Sequence, residues 1–320
     1  MNKESGLKLY GDGFAPVFVI VAASLWAVDG IALRPMLFNR PVPLVVFVES
    51  LIVAVLITPF MAKQFKSLKL LSYKDWLSFF GVALLGGAVG TMAITKALFY
   101  VNYVNLSIVI LIQKLQPVFA LVLAAAFLKE KLPLKFFTYA GTAIIGAYIM
   151  SFGLSIPSIN QTDKTLYAAL FSLLAAASFG SSTVLSKRAL QNTTFEMGTY
   201  LRFSLSTIIM LVVSSIAGSI SSISNISSTQ IYIFLLIAFT TGGAAIFLYY
   251  YGLKRITASV AAICELAFPL VAVVLEYFVH DNILNPVQWV GVLILLFSIL
   301  KVSGIKTNRW GKKLLPNKSK

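Results

Sequence analysis

Long apolar runs dictate what this chain can become. Ten stretches, near residues 14–33, 43–62, 76–98, 104–128, 136–156, 166–186, 197–218, 231–253, 256–279 and 287–305, approach or exceed the roughly 20 apolar residues with which a helix crosses a bilayer. The eighth and ninth nearly fuse, parted by Lys254-Arg255. One continuous helix there would be about twice the length a crossing needs, so two spans are expected. Charged residues make up only 12% of the chain against 58% hydrophobic, and the mean hydropathy is +0.88. A soluble chain carries roughly 25% charge, so there is too little polar surface here for an exterior facing water. The first run is longer than a signal-peptide core and is interrupted by Asp29 where a cleavage site of small residues would lie, so it is expected to stay attached.

Scarce residue types exclude whole classes of chemistry. One cysteine, Cys264, allows neither an internal disulfide framework nor a thiolate metal cluster. One histidine, His280, argues against zinc sites and Ser-His-Asp catalysis. Gly86-x-x-x-Gly90 is not followed by Gly-Lys-Ser/Thr, so nothing points to a P-loop, and close helix packing is the simpler role. The net charge of +15 suggests nucleic acid only if the basic residues gather on one surface. Instead they fall in short clusters between the apolar runs. With both termini cytoplasmic, 20 of the 26 Lys and Arg lie inside and only Arg34, Arg40 and Lys164 fall in outside loops. Lys96, Lys114 and Arg202 lie within spans. That bias sets the orientation and fits an even number of crossings.

The two halves of the chain echo each other. Gln113-Lys-Leu-Gln-Pro117 in the fourth run matches Glu265-Leu-Ala-Phe-Pro269 in the ninth, with the prolines 152 positions apart. Trp26-Ala corresponds to Phe179-Gly, and Gly86-Gly87 to Gly242-Gly243. Five spans per copy is an odd number, so the second copy is expected upside down relative to the first, as in secondary transporters. The expected architecture is all-α and membrane-integral. It has ten transmembrane helices as two inverted five-helix repeats, 1–157 and 158–320, the second ending in a basic cytoplasmic tail.

These features together resemble the drug/metabolite transporter superfamily, in its EamA-type ten-helix branch. The tryptophan of the first span, the Ala97-Leu98 and Gly252-Leu253 dipeptides before short links, the mid-helix prolines and Glu130 closing the fourth span carry the resemblance over nearly the whole chain. It implies alternating access by a small organic solute across a bacterial inner membrane. It also implies an arginine near the cavity in the second and seventh spans. Arg202 fits the seventh, while Glu49 occupies the matching place in the second.

Six ionisable residues lie inside spans: Asp29, Glu49, Lys96, Lys114, Arg202 and Glu265. Unpaired at mid-helix they would cost roughly 15–20 kcal/mol in all, so pairing, neutralisation or a wet cavity is required. At 1.5 Å per residue, Asp29, Glu49 and Lys114 lie about 6, 9 and 15 Å from the outer surface. Together with Lys96 they form a balanced outer cluster. Arg202 and Glu265 lie about 8 and 14 Å from the inner one. Glu49 with Lys114 and Arg202 with Glu265 are thus expected as partners at mirrored depth, acting as gating or coupling groups or merely pinning helices. A polar stripe of Thr199, Arg202 and Ser206 lies on the seventh span, and Thr91 and Thr95 on the third. Gln113 and Gln116, on one helical face, can hydrogen-bond a substrate. Trp26 can stack on one or serve as a plain core residue, and of Tyr249-Tyr250-Tyr251 at most two face a cavity, with Tyr250 taken as the substrate contact. Pro117 and Pro269 are expected to kink their helices, lining a cavity or simply packing.

The function expected from the residues and the resemblance is secondary transport of a small polar metabolite. An amino-acid-like zwitterion is favoured because the cavity holds both signs of charge: Asp29 or Glu49 for an ammonium, Lys114 or Arg202 for a carboxylate. The alternatives are export of organic cations and a flippase for a lipid carrier. One histidine and no paired catalytic motif leave little for an intramembrane enzyme. Expected partners are the substrate and membrane lipid, with no cofactor, metal or nucleic acid, and the protein a monomer or homodimer.

Overall fold

A computed structural model describes residues 14–100, 109, 112–113, 115–155, 163–280 and 284–303. The described chain is helical throughout. We number the helices α1 (Ala15–Leu37), α2 (Val42–Met61), α3 (Tyr73–Tyr100), α4 (Gln116–Phe127), α5 (Leu134–Phe152), α6 (Asp163–Ala189), α7 (Phe195–Ile216), α8 (Ser228–Arg255), α9 (Ala258–Cys264), α10 (Ala267–His280) and α11 (Pro286–Ser303). Seven segments of the described chain are long and apolar enough to cross a membrane: α1, α2, α3, residues Leu166–Ala189 of α6, α7, α8, and Ala258–Leu275, which joins α9 to the start of α10. Apolar helices of 10–17 residues occur at Gln116–Phe127, Leu134–Met150 and Pro286–Val302. The outer faces are greasy: Phe60, Phe127, Ile216 and Phe278 are each at least 75% exposed. Water would punish so much exposed apolar surface, whereas hydrocarbon tolerates it provided the backbone is satisfied within helices.

Caps and interruptions repeat between the halves. Ser72 starts α3 with a capping box closed by Asp75, and Ser227 starts α8 with one closed by Gln230. Each box satisfies backbone donors at the helix start reciprocally. Eleven residues after each cap the helix widens into a π turn, Ala83–Val89 in α3 and Ala238–Gly242 in α8. A third π turn, Asp29–Leu33, interrupts α1, and a 3-10 turn, Arg34–Leu37, completes it.

Pro117 and Pro269 stand at helix starts and not within continuous helices. Leu115 lies in a turn just before α4, and Glu265-Leu266 separates α9 from α10. Pro117 and Pro269 then stand in the first turn of the following helix, where the missing N–H costs nothing. The expected mid-helix kinks are therefore helix breaks.

Packing pairs α1 with α8, α3 with α6, α2 with α7, α4 with α9 and α5 with α11. Exchanging the two halves maps this set of pairs onto itself. Glycines permit the closest approaches. A Cβ on Gly291 of α11 would sit 2.2 Å from the Met150 backbone nitrogen, and one on Gly146 of α5 would sit 2.8 Å from the Leu295 nitrogen. In α8, a Cβ on Gly252 would sit 2.7 Å from the Ala15 carbonyl. Near that end of the bundle Glu130 accepts from the backbone nitrogens of Ala258 and Ser259 at 2.8 and 3.1 Å, capping α9 from the other half of the chain. Lys187 likewise donates to the carbonyls of Leu253 and Lys254.

Candidate functional site

A cavity of about 250 Å³ lies between the halves. All three π turns and both helix breaks contribute to its wall: Asp29, Gly30 and Ile31 from the first, Gly87 from the second, Thr241 and Gly242 from the third, and Gln116, Pro117, Glu265, Leu266 and Pro269 around the breaks. Widened or broken helix leaves backbone and side chains free to line a space, and π turns recur at functional sites for that reason.

One pole of the cavity is ionic. Arg34 Nε donates to Asp29 Oδ2 at 2.8 Å, Nη1 to Thr95 Oγ1 at 3.1 Å and Nη2 to Glu49 Oε2 at 3.1 Å. Thr241 Oγ1 adds a long bond of 3.4 Å to Asp29 Oδ1. One guanidinium thus serves two carboxylates, all three groups being buried. Arg34, expected in an outside loop, is instead buried in a 3-10 turn. The π and 3-10 turns prolong α1 by nine residues and fold the side chain back into the bundle. Lys96, expected in this cluster, is exposed instead and lies over the rings of Tyr100 and Phe171 at 5.7 and 5.9 Å. Lys114 falls outside the described residues, so its expected pairing with Glu49 does too.

The other pole is built around Glu265. Tyr249 donates to its Oε1 at 2.7 Å and Thr183 at 3.3 Å, while the Gln116 amide donates to Oε2. A carboxylate at a helix break is thereby solvated by neutral donors from α4, α6 and α8. The expected ion pair with Arg202 is not formed. Arg202 instead donates Nη2 to the Gly86 carbonyl at 3.2 Å, in the π turn of α3. It acts electrostatically on both Glu49 and Glu265 from the cavity wall.

Trp26, Asp29, Glu49, Gln113, Gln116, Arg202 and Glu265 all line this one space, as do Pro117 and Pro269. Tyr250 does not. It is fully buried with its hydroxyl 3.0 Å from Ser186, and its neighbour Tyr249 faces the cavity instead, its ring 5.3 Å from that of Trp26. Rotation by about 100° per residue separates adjacent tyrosines, and only three-dimensional packing decides which faces inward. Phe179 and, one turn on, Ser182 and Thr183 of α6 also line the cavity, and carry no charge that would single them out in an alanine-rich run. Phe179 was legible only as the counterpart of Trp26. Among the described residues no three His, Cys, Asp or Glu are placed to hold a metal.

A central cavity between two pseudo-symmetric halves is matched by the relationships of the chain. The EamA-like transporter family matches residues 13–152 and again 166–304. The riboflavin transporter ImpX of Fusobacterium nucleatum is 43% identical over 288 residues, 90% of this chain and 96% of its own. An uncharacterized transporter of Synechocystis is 26% identical over 76% of this chain and 70% of its own. A solved crystal structure only 14% identical superposes with a TM-score of 0.66 over 89% of this chain and 94% of that one, and so shares the fold. The chain belongs to the EamA-like transporter family, and is therefore a multi-pass membrane transporter of a small molecule rather than an enzyme.

Proposed function

We propose that this protein carries riboflavin across the bacterial inner membrane by alternating access around the central cavity. The observation that carries this reading is an aromatic and polar cavity wall in a chain 43% identical to a riboflavin transporter. Trp26, Tyr249, Phe179 and Phe268 offer faces for a flat ring system. Gln113, Gln116, Thr183 and Ser182 offer neutral hydrogen-bonding groups to a polyhydroxylated chain.

The charge arrangement supports an uncharged solute over a zwitterion. Asp29 and Glu49 already share Arg34, and Glu265 already accepts from three neutral donors. An incoming ammonium would have to displace those partners, whereas a flavin need displace none. The same engagement weakens the case for organic cations.

In this reading the ten apolar segments all cross the membrane, as two inverted repeats of five with both termini cytoplasmic. The self-mapping pairs of helices and the biased distribution of Lys and Arg support that topology. Arg202 and Glu265 act as inner gating or coupling groups, and Glu49 with Lys114 as the outer ones.

Binding to the purified protein tests the substrate. Stacking on Trp26 should quench flavin fluorescence on titration with riboflavin, and Trp26→Leu should weaken both quenching and affinity. No saturable quenching by riboflavin, together with saturable binding of an amino acid, would overturn the proposal.

A further inference from the structure

Two neighbouring polar groups on the cavity wall, Ser182 and Arg202, keep hydrogen-bonding capacity that no described residue takes up. Ser182 Oγ is buried and makes no hydrogen bond, not even the back-bond to its own helix that Ser172 and Ser181 make in the same α6. Such an unmet group is costly in an apolar interior and calls for a partner. Among the described residues, Arg202 spends one of its N–H groups on a protein acceptor, the Gly86 carbonyl. The two converge. A Cβ on Gly86 would sit 2.2 Å from Ser182 Oγ and 3.0 Å from Arg202 Nη1, so only glycine leaves room for them to meet there.

The carboxylates of the wall and the guanidinium of Arg34 are already engaged. Arg34 serves Asp29, Glu49 and Thr95, and the oxygens of Glu265 accept from Tyr249, Thr183 and Gln116. The free capacity therefore gathers at one spot on a wall that Trp26 and Tyr249 also line, where Arg202 can only donate and the Ser182 hydroxyl can donate or accept. A guanidinium and a hydroxyl so placed suit a ligand edge that presents acceptors for the first and a polar group of either kind for the second.

We propose that Arg202 and Ser182 form the subsite that reads the carbonyl edge of the flavin ring. This rests on the flavin reading above. That end of the ring presents two carbonyl oxygens, each beside an acceptor nitrogen, with an N–H donor between them. A guanidinium matches one carbonyl and its neighbouring acceptor nitrogen, and the hydroxyl beside it can accept from the N–H. The ribityl chain then points away, toward Gln113 and Gln116. Arg202 and Ser182 thus fix the orientation of the ring, and Gly86 is required because any side chain there would fill the subsite.

The test compares riboflavin with lumiflavin, which keeps the ring but has a methyl group in place of the ribityl chain. Affinities for both are measured by fluorescence quenching on wild type, Arg202→Met and Ser182→Ala. Removing the charged donor should weaken both ligands about 10–100-fold, and removing the hydroxyl about 5-fold, with the riboflavin-to-lumiflavin ratio unchanged. Ser182→Ala should leave the melting temperature of the ligand-free protein unchanged or higher, because the hydroxyl it removes has no partner. This variant keeps the test open should Arg202→Met fold poorly. Wild-type affinity in Ser182→Ala, or a loss confined to riboflavin with lumiflavin unaffected, would overturn the subsite while leaving the flavin reading standing. Wild-type protein that binds neither flavin would overturn both.

Discussion

At the scale of single residues, Arg34 is the group whose loss should be felt most. It neutralises two buried carboxylates at once, and removing one partner of a buried ionic cluster typically costs about 3–5 kcal/mol. Arg34→Met should therefore lower stability by about that amount in chemical unfolding. Adding Asp29→Asn and Glu49→Gln should recover most of it. The adjacent tyrosines give a second contrast. Tyr249→Phe removes a donor to Glu265 and should slow transport. Tyr250→Phe removes only a bond to Ser186 and should act on stability, by about 1 kcal/mol. Paired uptake and unfolding measurements on the two variants check this. Much at this scale could be anticipated, because ionisable residues inside apolar runs are conspicuous. Asp29, Glu49, Arg202 and Glu265 do converge on one cavity. Their partners were not legible. Arg34 lies one residue beyond its apolar run, and Arg202 turned out to prefer a backbone carbonyl that only a π turn presents.

At the scale of elements, glycine positions separate packing from propensity. Gly291→Ala drives a methyl into the Met150 backbone and should separate α5 from α11, lowering the melting temperature clearly. Gly141, also in α5, has open space around it, so Gly141→Ala should stabilise by about 0.5–1 kcal/mol through helix propensity. The Glu130 cap is a third case. It satisfies two donors at the start of α9 from across the halves, and Glu130→Ala should cost about 1–2 kcal/mol in unfolding. Helix existence was readable from apolar run length, and proline marked Pro117 and Pro269 as interruptions, though as kinks and not as breaks. The π turns were not readable. No local residue pattern distinguishes Ala83–Val89 from ordinary helix, and the widening answers side chains arriving from α7 and α2, such as Ser206 against Gly87.

For the whole molecule, the repeat is what organises function. Equivalent breaks and widened turns from both halves meet at the centre, so the interrupted backbone that a membrane span tolerates poorly is gathered where it lines a cavity. For the substrate, charge counted along the sequence and charge placed in three dimensions favour different readings. Acids and bases counted singly suggest sites for an ammonium and a carboxylate. In three dimensions Asp29 and Glu49 share Arg34, Glu265 accepts from neutral donors and Arg202 bonds a backbone carbonyl, in a space otherwise aromatic and hydrogen-bonding.

Riboflavin counterflow in proteoliposomes tests that account most directly. Vesicles containing the purified protein and loaded with unlabelled riboflavin should accumulate labelled riboflavin transiently. Excess external lumiflavin should compete, and a mixture of zwitterionic amino acids should not. Accumulation that amino acids abolish and flavins leave untouched would contradict a flavin carrier built around this cavity.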